Sequence, residues 1–448
     1  MIDSKTALAH CQDLVALAQQ MGADAADAIA RANSSESVSM RLGKLEEVER
    51  SESEEIGLRV FVGKRSASIN TSDFAPDGLK ALAKRAVEMA GHAPEDEHAG
   101  LAPAEALFSG ELPDLDLDDP ERPEPQSLRE AALATEDAAR SVKGVTNSNG
   151  GSAGFDRSVV ALATSNGFGR AYSGSGHTLS ASVVAGEGGA METDYASRGA
   201  RFRSDLPSEA EIGEEAGRRA VARLNAGSMP SGKYPVVFDP RIGGGLVGHL
   251  LGAIGAPAVA RKSTFLLGRE EDELFDPSIR ILEEPLRKRG VRSRPFDGEG
   301  VACTSRAIID RGRLTGWLTN VASADQLGLG LTGHAARASG GSPGVSASNV
   351  HLEAGSVSPE ELMADIEDGL YVTGLYGQGV NMVTGDYSRG ATGFRIRNGE
   401  FAGAVSEITI AGHLASMFRG LTPANDLEMY RSVNVPTLRI DGMTVAGE

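Results

Sequence analysis

Cysteine is nearly absent from this 448-residue chain, which has only Cys11 and Cys303. Two distant cysteines make neither a disulfide framework nor a zinc knuckle. Both sit among small or apolar neighbours, so each is expected to be a buried side chain and not a nucleophile. Long apolar runs are missing too: no stretch approaches the roughly 20 uninterrupted apolar residues that cross a bilayer. The start, MIDSKTALAHCQDLVALAQQ, has no basic segment and no small-residue cleavage site, so a cytoplasmic location without membrane association is expected. Nor is there an excess of positive charge. Lys and Arg number 44 against 62 Asp and Glu, a formal charge of -18, which repels nucleic-acid phosphates and anionic lipids.

At this length about two or three domains are expected. Ser4 is placed to cap a first helix reaching about Met21, with Leu8, Cys11, Leu14, Val15 and Ala18 on its apolar face. Alternation at Val38-Met40-Leu42 and Ile56-Leu58-Val60-Val62 predicts half-buried strands, and Leu79, Leu82, Ala86 and Met89 mark a second helix. Residues 93–126 are rich in Pro, Asp and Glu and have no periodicity, which predicts a linker or long surface loop. Ser127 and Glu130 have the spacing of a capping box for the next helix. Residues 155–196 read as an antiparallel meander turning at Ser165-Asn166-Gly167, and Ser208 to Glu211 opens a helix to about Asn225.

The breaker cluster 227–232 (GSMPSG) sets the domain boundary. An α+β fold is expected: residues 1–227 form a mixed domain with helices packed on antiparallel sheet, and residues 228–448 a mostly antiparallel β domain with a few helices. In the second domain Asp310-Arg311-Gly312 and Asn398-Gly399 predict strand-linking turns. Ser358-Pro359-Glu360-Glu361 joins a capping box to a proline at the first helical position.

Residues 234–255 run from an apolar strand through a predicted glycine turn into a short helix. Gly243, Gly245 and Gly248 satisfy G-x-G-x-x-G, and Glu270 lies near the distance of a ribose-binding acid, so one reading is a nucleotide-binding enzyme using Gly243 to Gly248. Against it, four residues separate the strand from the first glycine, and antiparallel meander follows in place of βαβ. Gly340-Gly341-Ser342-Pro343-Gly344 matches a nucleophile elbow, which requires a helix directly after the serine. The following VSASNVHL reads as extended, so a glycine-rich loop accounts for it better. His249 stands alone on its short helix and is expected to be a hydrogen-bonded packing residue. His10, His92, His98, His177, His334, His351 and His413 show no H-x-x-x-H spacing. An autonomous metallopeptidase would have to assemble its site from such dispersed residues.

Several separated blocks carry a more specific signal. Gly248-His249-Leu250-Leu251-Gly252-Ala253-Ile254, Arg261-Lys262-Ser263-Thr264-Phe265 and Pro295-Phe296-Asp297-Gly298-Glu299-Gly300-Val301 come first. Gly377-Gln378-Gly379-Val380, Thr384-Gly385-Asp386-Tyr387-Ser388-Arg389-Gly390 and Val405-Ser406-Glu407-Ile408-Thr409-Ile410-Ala411-Gly412 follow. In order and spacing they resemble the TldD/PmbA family, more narrowly its PmbA (TldE) branch, over roughly the whole chain. In the TldD branch the corresponding helix carries H-E-x-x-x-H, with two zinc-binding histidines and a general-base glutamate, and a cysteine near the C-terminus completes the site. A catalytic zinc needs about three protein ligands and a base that reaches its water. Aligned without a gap, the three positions fall on Gly248, His249 and Ala253; shifted by one, they fall on His249, Leu250 and Ile254. No cysteine follows Cys303.

The resemblance therefore implies a subunit with no catalytic, metal or cofactor-binding residue of its own. Zinc is expected in a TldD-type partner, and the pair would act as a metallopeptidase on unfolded proteins or peptides, including maturation of modified peptides. A homodimer is allowed without the partner. Sheet edges of the C-terminal domain would pair with partner or peptide backbone by strand addition.

Overall fold

Two long strands decide how the first half of the chain is layered. The computed structural model describes residues 1–270 and 272–447. In it β1 (Ala25–Arg41) and β2 (Lys44–Val62) pair along nearly their whole length, joined by Leu42 and Gly43 at φ 52° and 73°. With β3 (Arg65–Thr71), β4 (Val145–Thr164), β5 (Gly169–Ala185) and β6 (Glu192–Ala200) they form an antiparallel sheet of order β3-β2-β1-β4-β5-β6.

Side chains alternate between the faces of a strand, and the two faces of β1 have different neighbours. Ala26, Ala28, Ala30 and Ala32 pack with α1 (Ser4–Gln20) and α2 (Pro76–His92). Further along the same face, Val38 and Met40 pack with α3 (Pro125–Ser141) and α4 (Glu209–Ala222). On the opposite face Ile29 joins Leu162, Phe168 and Phe296, the last contributed by the second half of the chain.

Several local expectations change in detail. The first helix is capped by Asp3, which accepts the Thr6 amide at 2.7 Å, and Ser4 is already helical. The third helix starts at Pro125, because proline suits the first helical position. Ser127 therefore lies inside it, its hydroxyl donating to the Glu124 carbonyl, and Glu130 accepts from Gln126 in place of closing a capping box. Met89 is 42% exposed, the buried face of α2 being completed by Ala83 and Ala90. Residues 93–126 are tied down: Ala102, Leu115 and Leu117 are buried, and buried Asp119 accepts the Arg203 amide.

The meander turning at residues 165–167 and the capping box of Ser208 with Glu211 are as expected.

From Gly232 the chain forms β7 (Gly232–Phe238), α5 (Pro240–Ala253), α6 (Ala256–Ala260), β8 (Ile281–Glu283), β9 (Arg306–Asp310) and β10 (Arg313–Leu314). Next come α7 (Val321–Leu327), β11 (Ala335–Ala336), β12 (Gly344–Val345), β13 (Val350–Leu352) and α8 (Pro359–Met363). The chain ends with β14 (Asp368–Tyr376), β15 (Asp386–Arg397), β16 (Glu400–His413), α9 (Leu414–Arg419), β17 (Leu421–Pro423), β18 (Val433–Asn434) and β19 (Leu438–Ala446).

Short strands order as β10-β9-β8-β13-β18, and the principal sheet as β16-β15-β14-β7-β19-β17. β16 also pairs with β19, so the principal sheet closes into a ring, mostly antiparallel with β14 and β7 parallel. Closure removes edges, so the C-terminal domain offers less strand-addition surface than open sheets would. The turns at Arg311-Gly312 and Asn398-Gly399, all at positive φ, link β9 to β10 and β15 to β16. The architecture is α+β with a β-rich C-terminal half. Among the described residues no helix is long and apolar enough to cross a membrane.

Candidate functional site

Helix α5 begins where the Asp239 carboxylate accepts the Arg241 amide at 2.9 Å and Pro240 takes the first helical position. Gly243, Gly244 and Gly245 consequently lie within the helix, none at positive φ. The expected glycine turn does not form, and a phosphate-cradling loop between strand and helix is missing from the nucleotide-binding reading. Gly243 and Gly244 serve packing, whereas Gly245 faces open space. A Cβ on Gly243 would stand 3.0 Å from Val435 and 3.3 Å from Leu438, and one on Gly244 would stand 3.2 Å from the Val433 carbonyl. Ser342 is followed by β12 in place of a helix, so no nucleophile elbow forms there.

The three positions aligned with H-E-x-x-x-H have unlike surroundings. Gly248 faces open space, with nothing within 4 Å of a Cβ built on it. Ala253 is buried in the large C-terminal core, and its carbonyl accepts from the Thr264 hydroxyl at 2.8 Å. His249 is half-buried and meets Tyr387 of β15 edge-on, with ring centroids 6.0 Å apart. It packs through this ring contact, and among the described residues the hydrogen bond expected of it is not made. Burial, and then the Arg389 charge, hold the His249 pKa below its ordinary value. Tyr387 is buried, its hydroxyl meets no hydrogen-bond partner among the described residues, and burial pushes its pKa up to about 12.

Several of the sequence blocks quoted above converge here. Phe265 donates its amide to the Met382 carbonyl at 2.9 Å, and His413 at the end of β16 lies 2.8 Å from the Thr384 carbonyl. The block 295–301 lies elsewhere, at the junction with the first sheet, where Glu299 accepts from Arg59 at 3.1 Å.

A zinc site needs about three donors converging at roughly 2.0–2.3 Å. Helix α5 supplies one imidazole, beside an arginine whose charge opposes a cation and a phenol that burial keeps protonated. Among the described residues no three His, Cys, Asp or Glu side chains gather to hold a metal. His334 lies 2.6 Å from Glu283, His177 lies 3.0 Å from Asp119, and His351 lies 3.6 Å from Glu284. Both cysteines are buried, and burial pushes each thiol up to about 12. The residues around α5 do not fit a zinc ion.

With this geometry established, comparison with known proteins places the chain. It matches the PmbA/TldA metallopeptidase domain 1 over residues 26–90, the central domain over 118–224 and the C-terminal domain over 231–447. It is 38% identical to metalloprotease PmbA of Escherichia coli O157:H7 over 414 residues, 92% of this chain and 90% of the relative. A PmbA homolog of Haemophilus influenzae is 34% identical over 442 residues, 97% of this chain and 94% of the relative. A solved structure from Bacteroides thetaiotaomicron superposes with a TM-score of 0.91 at 26% identity, covering 100% of both chains. TldE from Thermococcus kodakarensis shares the fold, with a TM-score of 0.86 at 20% identity over 98% of this chain and 100% of the other. The chain belongs to the PmbA branch of the TldD/PmbA metallopeptidase family.

Proposed function

We propose that this chain is the non-catalytic subunit of a heteromeric cytoplasmic metallopeptidase. A TldD-type partner carries the zinc, and the pair acts on unfolded proteins or peptides, including maturation of modified peptides. The observation that supports this reading is the state of α5: Gly248, His249 and Ala253, the positions that the family resemblance aligns with H-E-x-x-x-H, offer a single imidazole on a helix packed into the core. A scaffold that keeps its packing and lacks its donors is useful through its surface. The metalloprotease names of the E. coli and H. influenzae relatives support a peptide substrate, and the likeness to TldE supports the subunit role.

The exposed rings of Tyr376 and Phe401, 51% and 54% exposed, support a partner surface on the β14–β16 side of the C-terminal domain. A permanent interface there would bury more than about 2,000 Å² in total.

Size-exclusion chromatography with light scattering, joined to a peptide-cleavage assay of each chain and of the mixture, tests the proposal. A stable complex is expected, with cleavage that needs both chains and vanishes when the partner's H-E-x-x-x-H glutamate is replaced. No association at micromolar concentration, or full activity of the partner alone, would reject it. Cleavage by this chain alone would establish the autonomous metallopeptidase instead.

A further inference from the structure

Between the first sheet and the C-terminal half lies a cavity of about 680 Å³, within the range of roughly 300–1,000 Å³ typical of small-molecule sites. In a chain of net charge -18, five arginines line it: Arg31 of β1, Arg201 after β6, Arg292 and Arg294 before β9, and Arg337 after β11. Arg337 is paired with Asp27, which also accepts from Arg59.

The other four meet no carboxylate within ion-pair distance among the described residues. Arg31 donates to the Arg337 carbonyl at 2.7 Å and Arg294 to the Ser346 carbonyl at 2.6 Å. Arg292 donates to the Ser346 hydroxyl at 3.3 Å, and Arg201 to the carbonyls of Gly290, Ser175 and Val291.

Donors remain over. Among the described residues Nε of Arg31, Nε of Arg294, and both Nε and Nη2 of Arg337 meet no hydrogen-bond acceptor, and Arg337 is only 4% exposed. The carboxylates in the wall make their hydrogen bonds elsewhere, although the Arg294 charge acts on Asp297. Asp297 accepts the amides of Glu299, Val301 and Ala335 at 2.9, 3.0 and 2.9 Å, and Glu55 accepts from the Asn70 side chain. Guanidinium groups taken from water without a counter-charge are costly, and their planar forks match oxyanions. The rest of the wall includes Ile29, Val160 and Leu162 with the rings of Tyr172 and Phe296, whose centroids lie 5.5 Å apart.

We infer that this cavity binds a small organic oxyanion, its phosphate or carboxylate head held by Arg31, Arg294 and Arg337 and its aromatic or branched body set against Leu162, Tyr172 and Phe296. The walls come from β1, β4 and β5 on one side and from residues 292–298 and 335–346 on the other, so the ligand bridges the two halves of the chain. Bound there, it stabilises their junction.

Calorimetric titration of the full chain in low-salt, phosphate-free buffer tests this with phenyl phosphate and phenylacetate, and with benzyl alcohol as the uncharged control. Saturable one-to-one binding of an oxyanion and none of the alcohol is expected, the tighter oxyanion identifying the head group. Arg31→Met and Arg294→Met should each weaken binding at least about tenfold, since each removes a charge-assisted donor. Ala338→Glu keeps the test decisive if those variants fail to fold. Ala338 is an exposed wall residue, and a carboxylate there should pair with the guanidinium groups, abolish binding and raise the melting temperature. The proposal is overturned by the absence of saturable binding of either oxyanion up to ~10 mM. Equal binding of benzyl alcohol, or binding undiminished by Ala338→Glu, would overturn it as well.

Discussion

The imidazole of His249 stands edge-on to Tyr387, and the tyrosine hydroxyl is buried without a hydrogen-bond partner among the described residues. A polar group in that state contributes nothing favourable to folding. Tyr387→Phe is therefore expected to leave the urea midpoint unchanged or raise it, whereas His249→Ala should lower stability by about 1 kcal/mol through lost packing. In the assembled peptidase His249→Ala should leave cleavage within about threefold, because a packing residue does not act on the barrier. A hundredfold loss with folding and pairing intact would show that His249 acts on substrate.

The pH dependence of stability has a definite sign. His177, His249 and His351 all have pKa values pushed below the ordinary one, in each case chiefly by burial. Below about pH 6.5 the unfolded chain takes up protons that the folded chain refuses, so stability present above that pH is lost as the pH falls. Asp297 and Glu299, whose pKa values burial raises, act in the opposite direction, adding stability as the pH falls through their folded-state pKa values. The melting temperature at pH 5.5 should lie below that at pH 7.5, and His249→Asn should flatten part of the difference. A slope that the histidine variants leave unaltered would refute the assignment.

Glu136 on α3 holds the tip of the β1–β2 hairpin. Its buried carboxylate accepts the Leu42 amide at 2.6 Å and the Gly43 amide at 3.0 Å, and Leu42 is in the left-handed region at φ 52°. A leucine there costs roughly 1–2 kcal/mol, so the turn depends on an acceptor from another element. Glu136→Ala should cost about 1.5–3 kcal/mol, the range for a lost hydrogen bond to a charged group, with Glu136→Gln intermediate. Denaturant melts that show no loss for Glu136→Ala would sink the idea.

What was legible in the sequence follows the range of the interactions. Ser208 with Glu211 and Ser358 with Glu361 form their capping boxes because both partners lie within one helical turn. Arg311-Gly312 and Asn398-Gly399 turn as expected because the residues themselves decide the backbone. Ser127 has the spacing of a cap but lies inside the helix, because Pro125, two residues earlier, starts it. The run Gly243-Gly244-Gly245 reads as a turn locally, yet it is helical, and Gly243 and Gly244 pack against Val433, Val435 and Leu438 far along the chain. The family blocks located α5 as the candidate site, but the ring contact of His249 with Tyr387 and the nearby Arg389 charge exist only once β15 is placed. The arginine cavity was illegible for the same reason, since its walls come from both halves of the chain.

The character of α5 leads to a last expectation about metal. Ala253 is 1% exposed within the core formed with Leu250, Ile254 and Phe238. A histidine there must find both volume and a hydrogen-bond partner. Overpacking costs typically 1–3 kcal/mol and an unsatisfied buried polar group about as much again, so Ala253→His should lower the urea midpoint clearly. Gly248 has open space, and Gly248→His should be tolerated far better. Since one imidazole beside Arg389 cannot supply the donor set of a zinc site, the wild-type chain after gel filtration should hold less than about one-tenth equivalent of zinc. Near-stoichiometric zinc surviving mild chelation would require donors from elsewhere in the chain and would overturn the reading of this subunit as non-catalytic.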